Sequence, residues 1–169
     1  MSPETLVVGR WHTRFQGRCL PSVTGRGGIV RPEDKREGDG ATPAGNHRIV
    51  GLLYRPDRIS SRALPIWAEP IGPGDFWSDD PADGAYNTAV RAPHGFGHEA
   101  LRRPDPLYDL VLVTDWNWPS AVAGRGSAIF LHRWRKPRHP TAGCVAFAPD
   151  VMLWLARNVA PGTPLVVRP

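Results

Sequence analysis

The sequence predicts a mostly β fold with long loops and one or two short helices, the main helix following a cysteine near the C-terminus. Three observations carry this expectation. Nineteen prolines and eighteen glycines among 169 residues argue against a helical bundle, because proline lacks the amide N–H that a helix interior needs and glycine loses the most backbone freedom there. Short apolar runs recur between turn-rich stretches, several of them with the two-residue alternation of half-buried strands. Seven tryptophans supply bulk to fill the space between sheets.

In chain order, residues 6–8 and 11–15 read as the first strands. Residues 25–45 are too polar and glycine-rich for regular structure and read as a long loop feeding a strand at 47–54; loops of that length inside a domain are usually functional or disordered. Residues 65–104 carry Trp67, Phe76, Trp77, Tyr86 and Phe96 among turn-formers, and read as a second long loop region covering the sheet. The near-continuous apolar run within 107–116 predicts a central strand covered on both faces. Residues 127–132 form the next strand. At 149–158, Val151, Leu155 and Val159 fall at i, i+4 and i+8, the stripe of an amphipathic helix. Pro149 suits the first helical position and Asp150 the positive helix end. A strand at 164–167 closes the sheet. With no internal repeat and no boundary, residues 1–169 read as a single domain.

Composition narrows the function. The net charge is +5, carried by nineteen arginines and two lysines, which favours an anionic partner such as nucleic acid, an acidic membrane surface or a cell-wall polymer. The run from Arg133 through Trp134, Arg135, Lys136 and Arg138 to His139 mixes base and aromatic as single-strand nucleic-acid binders do, yet no nucleic-acid motif surrounds it, and a solvated loop accounts for it better. Cys19 and Cys144 are the only cysteines: too few for a disulfide scaffold, and without zinc spacing. No metal or cofactor is expected. The N-terminus lacks the basic start and apolar stretch of a secretory signal, and no run of eighteen apolar residues predicts a transmembrane segment. This part of the reading predicts a soluble protein without an export address.

The chemistry concentrates near the C-terminus. His132 ends an apolar strand, and twelve residues on comes Thr141-Ala142-Gly143-Cys144-Val145. A free thiol, with a pKa of about 8.5, is only a few per cent ionised at neutral pH, so a nucleophile needs an imidazole, a positive field or a helix N-terminus. His132 offers the base, Arg133, Arg135, Lys136 and Arg138 the field, and the helix at 149 its N-terminus. Gly143 lets backbone approach a reacting carbonyl, as an oxyanion hole requires. The plainer alternative is an inert buried thiol and a polar strand end.

These residues resemble the L,D-transpeptidases of bacterial peptidoglycan, whose catalytic domain is called YkuD-type. That family carries a histidine at a strand end, a loop, then Ser/Thr-His-Gly-Cys followed by an apolar residue and usually Arg or Asn; here these are His132, the loop 133–140, and Thr141-Ala142-Gly143-Cys144-Val145-Ala146. Thr42-Pro43-Ala44-Gly45, and the preceding Lys35-Arg36-Glu37-Gly38-Asp39-Gly40, extend the likeness from about Gly25 to the C-terminus. Ala142 and Ala146 depart from the motif, which bears on acceptor choice and thiol tuning.

The resemblance implies a β-sandwich domain and two-step acyl transfer. Cys144 attacks the carbonyl before the terminal D-residue of a tetrapeptide stem, D-alanine leaves, and an amine of a neighbouring stem resolves the thioester. His132 is the base; N–H groups of Gly143 and Cys144 hold the oxyanion. Beside these, Thr141 is a candidate to orient the cysteine turn or a plain turn-former, and Tyr86 and Asn87 are candidates to line the stem-peptide groove. Trp134 is a candidate lid for which core packing is the stronger alternative, and Arg133 and Arg138 are candidates to grip substrate. Asp115 is a candidate to orient His132 for which a solvated strand end is the stronger alternative. Peptidoglycan stem peptides are the implied partners and the periplasm or cell envelope the implied location. Release of the thioester to water or another amine would make a carboxypeptidase or exchange enzyme. From a different class, a non-catalytic binder of an anionic polymer would be indifferent to Cys144.

Overall fold

The computed structural model describes residues 4–169, so the start of the N-terminal reading, residues 1–3, lies outside the described residues. The chain begins with β1 (Leu6–Val8), β2 (His12–Phe15) and β3 (Arg18–Val23). Gln16 and Gly17, both at positive φ (47° and 74°), join β2 to β3, a two-residue turn of the type whose twist matches the flanking strands. The loop at 25–45 holds two very short strands, β4 (Ile29–Val30) and β5 (Thr42–Pro43), paired parallel. There follow the long β6 (Gly45–Tyr54), then β7 (Glu69–Pro70), β8 (Asp75–Ser78), β9 (Ala89–Arg91), β10 (His98–Ala100), β11 (Leu110–Thr114), β12 (Phe130–Arg133), β13 (Val145–Phe147), the helix α1 (Pro149–Asn158) and β14 (Pro164–Val167).

Eight of these strands close into a barrel-like sandwich. The hydrogen-bonded order runs β11-β12-β13-β3-β2-β1-β14-β6, and β6 pairs back onto β11. It does so by its length: residues 45–48 pair with β14 and residues 49–54 with β11. A ring of pairings leaves no long strand edge open to another chain. Inside it Leu6, Val8, Leu20, Ile49, Leu52, Leu112, Leu131, Val145, Phe147 and Leu165 form the main core, joined by Met152, Leu155 and Ala156 of α1. α1 packs on β11 and β12.

Strand alternation creates a second core on the outer face. Leu110 and Leu112 point into the barrel, whereas Val111 and Val113 join Phe130, Ile71, Trp77, Leu101, Tyr108 and Cys144 outside it. β11 is therefore buried on both faces, as its unbroken apolar run predicts. The outer face is covered by a small sheet in the order β10-β8-β9. Trp77 of β8 meets Phe130 edge-on, their ring centroids 5.0 Å apart.

Several expectations are refined. Residues 65–104 do cover the sheet, but with β8–β10 rather than loop alone, while β7 adds a short edge to β6. The strand expected at 127–132 begins only at Phe130, because Ala128 takes a left-handed φ of 51°, and the central strand is shorter than 107–116. The helix and final strand fall where periodicity puts them. Ala148, at the helix N-cap, provides no side-chain cap.

Candidate active site

β12 and β13 run parallel, with Leu131 opposite Val145 and His132 opposite Ala146. Successive side chains on a strand point to opposite faces. Leu131, Val145 and Phe147 therefore enter the barrel core, while Phe130, His132 and Cys144 face the covering sheet. This pairing puts His132 and Cys144, twelve residues apart in sequence, on one face of adjacent strands. Both line a cavity of about 550 Å³ between barrel and covering sheet.

The resting thiol is enclosed. Cys144 is 9 % exposed; its S–H donates to the Ala128 carbonyl (3.1 Å), and the Phe130 N–H donates to Sγ (3.4 Å). Burial pushes the thiol up to about 12, the Glu99 charge adds to that, and the Phe130 N–H and Lys35 oppose it. His132 is 4 % exposed, and burial lowers it to about 4 against the favourable bond to the Arg133 carbonyl. That bond, from Nδ1 at 2.7 Å, assigns the tautomer: a carbonyl only accepts, so Nδ1 carries the proton and Nε2 keeps its lone pair. At neutral pH the thiol and the imidazole are therefore both uncharged.

The group orienting His132 is thus the backbone of Arg133, not Asp115. Asp115 accepts from the Arg48 N–H (2.8 Å) and lies beside His47 in a separate small cavity. Tyr108 stands edge-on to His132 with centroids 5.2 Å apart and donates to Glu99 Oε1 (2.6 Å). Burial raises the Tyr108 hydroxyl well above its ordinary range and raises Glu99 as well.

The cysteine turn is held from two sides. Thr141 Oγ1 donates to the Cys144 carbonyl (2.6 Å) and accepts from the Gly143 N–H (3.1 Å). Thr42, from the 25–45 loop, donates to the Gly143 carbonyl (2.7 Å). Gly143 has φ 142°, and a Cβ there would stand 3.0 Å from the Ala41 carbonyl oxygen, so both conformation and crowding call for glycine. The Gly143 N–H, expected as an oxyanion donor, is engaged by Thr141 in this resting arrangement.

The positive field differs from expectation in source. α1 begins five residues past the thiol, roughly 16 Å along extended chain, which is beyond the reach of its terminal partial charges. Arg133 approaches Asp109 at 3.8 Å. Arg135 and Trp134 line the cavity and Arg138 does not. Tyr86 and Asn87 are buried away from the cavity wall. Asn87 Oδ1 accepts from the Ala128 N–H and from Trp77 Nε1, both at 3.0 Å, while its Nδ2 donates to the carbonyls of Trp116 and Asn117. Tyr86 donates to Glu37 and accepts from the Gly126 N–H. Ser127 also donates to Glu37 (2.7 Å). Together they pin the 126–128 segment whose Ala128 carbonyl accepts the hydrogen bond from the thiol. Among the described residues no group of three or more His, Cys, Asp or Glu could hold a metal ion.

The family model of the L,D-transpeptidase catalytic domain, YkuD, matches residues 5–167. The chain belongs to this family. Within this YkuD domain, Ala142 lies exposed on the cavity rim and Ala146 is fully buried opposite His132. Among solved structures, an L,D-transpeptidase from Mycobacterium smegmatis is similar at 15 % identity and a TM-score of 0.43, covering 98 % of this chain and 58 % of that one. The YkuD chain described here thus spans little more than half of that protein. No curated protein matches.

Proposed function

We propose that this chain, as a single catalytic domain, is a peptidoglycan L,D-transpeptidase of the cell envelope working through a Cys144 thioester. The observation that carries this reading is the parallel β12–β13 pairing, which sets a thiol and an imidazole with a free Nε2 on one cavity face. His132 Nε2 takes the Cys144 proton as the sulfur attacks the carbonyl of the residue before the terminal D-residue of a tetrapeptide stem. The C–N bond breaks, the proton passes from His132 to the leaving nitrogen, and a thioester remains. An amine from a second stem then attacks the thioester and His132 takes its proton; the new C–N bond forms as the C–S bond breaks, and His132 returns the proton to the Cys144 sulfur. The bond energy kept in the thioester lets a cross-link form without ATP. The Cys144 N–H, and the Gly143 N–H once Thr141 releases it, are the donors proposed for the oxyanion, at roughly 3 kcal/mol for each well-placed donor.

Purified tetrapeptide muropeptides, incubated with the protein and resolved by mass spectrometry, test the reading. Cross-linked dimers are expected from the wild type and none from Cys144→Ser. Trimmed tripeptides without dimers would make the same site a carboxypeptidase, and equal behaviour of the two proteins would remove the nucleophile.

A further inference from the structure

Lysine is scarce in this chain, and one of its two lysines is buried in the wall of the thiol cavity. Lys35 is 3 % exposed, and a lysine is almost never enclosed so far unless its charge is met. Its Nζ donates to Asp39 Oδ1 and to the Arg36 carbonyl, both at 2.7 Å. An ammonium has three protons to donate, and among the described residues the third has no acceptor. Gly126 closes one side, since a Cβ there would stand 3.0 Å from Nζ.

The remaining charges of the cavity make this position selective. Glu37, Asp79 and Glu99 also line it; burial raises Asp79 and Glu99 from the usual carboxylate value, the charge of Glu37 adds to both, and Tyr108 and Arg103 oppose the rise at Glu99. An incoming anion is repelled from that wall. Arg103 is already occupied by a two-pronged bond to Asp105 at 2.9 and 2.7 Å. Arg26 and Arg135 are exposed to water, where a charge pair is worth little.

From these contacts we infer that the Lys35 ammonium, held by Asp39 and the Arg36 carbonyl, seats the terminal carboxylate of the donor stem, the one carried by the D-residue that leaves. This inference rests on the transpeptidase reading above. In the scissile amide one carbon separates the leaving nitrogen from that carboxylate. Lys35 shares the thiol's cavity and its charge is felt at the thiol, where it favours the thiolate, so this is the cation placed to meet the carboxylate while the carbonyl lies over Sγ. Lys35 thereby restricts the site to chain termini, since an internal peptide bond offers no carboxylate at that place.

The test compares a tetrapeptide donor with a free C-terminus against the same peptide as a C-terminal carboxamide, reading kcat/KM for release of the terminal residue. The wild type is expected to prefer the carboxylate by about ten- to a hundredfold, the effect of losing one hydrogen bond between charged groups. Lys35→Met is expected to turn over both donors at the same low rate. Equal rates from the wild type, or a preference that survives in Lys35→Met, overturn the assignment while leaving the transpeptidase reading intact. Release of neither residue by the wild type defeats that reading itself, and the inference with it. Should Lys35→Met fail to fold, Arg26→Gln and Arg135→Gln decide, because both replaced side chains are exposed. A preference kept in both variants supports Lys35, and one lost in either assigns the carboxylate elsewhere.

Discussion

His132 is the residue whose surroundings have the clearest consequence for stability. In the unfolded chain its ring takes a proton near the ordinary 6.5, whereas burial holds the folded ring to about 4. Between those values the unfolded state binds more protons, so stability falls as pH drops through that window and is fully kept above 6.5. The loss is roughly 3 kcal/mol. Urea unfolding of wild type and His132→Gln from pH 7 to pH 4 isolates this contribution, because the other titrating groups are shared. The wild type is expected to lose roughly 3 kcal/mol more than the variant over that range, and parallel curves would contradict the buried neutral ring. At this scale the sequence exposes only groups with a distinctive side chain. Cys144, His132 and Gly143 stand out by chemistry and motif. The Arg133 carbonyl that orients the imidazole does not, since every residue has one. Lys35 looks like any charge in a polar loop until the loop folds against the cavity.

Among the elements, the short segment 126–128 decides how the thiol rests, and Asn87 holds it. Replacing Asn87 by alanine strands the Ala128 N–H and Trp77 Nε1 without their acceptor, each costing about 1–3 kcal/mol when buried. Alanine is also less at ease than asparagine at the φ of 59° found there. Asn87→Ala is expected to lower unfolding stability by about 3 kcal/mol and to reduce turnover by loosening the Ala128 carbonyl beside Sγ. An unchanged urea midpoint would show that the segment is held by other means. α1 and β14 were legible because a 3.6-residue stripe and a compact apolar run leave few alternatives. β8–β10 were not, because strands of three or four residues among turns have too little alternation to register. That omission hid Glu99, which β10 carries into the cavity, where Tyr108 donates to it.

For the whole molecule, the functional arrangement follows from layering. A closed ring of strands buries one apolar face inside, and the covering sheet buries part of the other; the cavity with Cys144 and His132 lies where that second layer meets the barrel. Composition pointed to the β architecture, but no sequence spacing reveals that β12 and β13 are parallel neighbours, which is what joins base to thiol. Among the described residues no helix is long and apolar enough to cross a membrane. The central claim, an acyl group carried on Cys144, is tested most directly by the intact mass of the protein mixed with a tetrapeptide donor in the absence of an acceptor amine. The account predicts a mass increase equal to the donor less the free D-amino acid it releases, located on the peptide containing Cys144 and missing from Cys144→Ser. A wild-type protein that releases the D-residue yet never carries the added mass, together with undiminished release by Cys144→Ser, would contradict it.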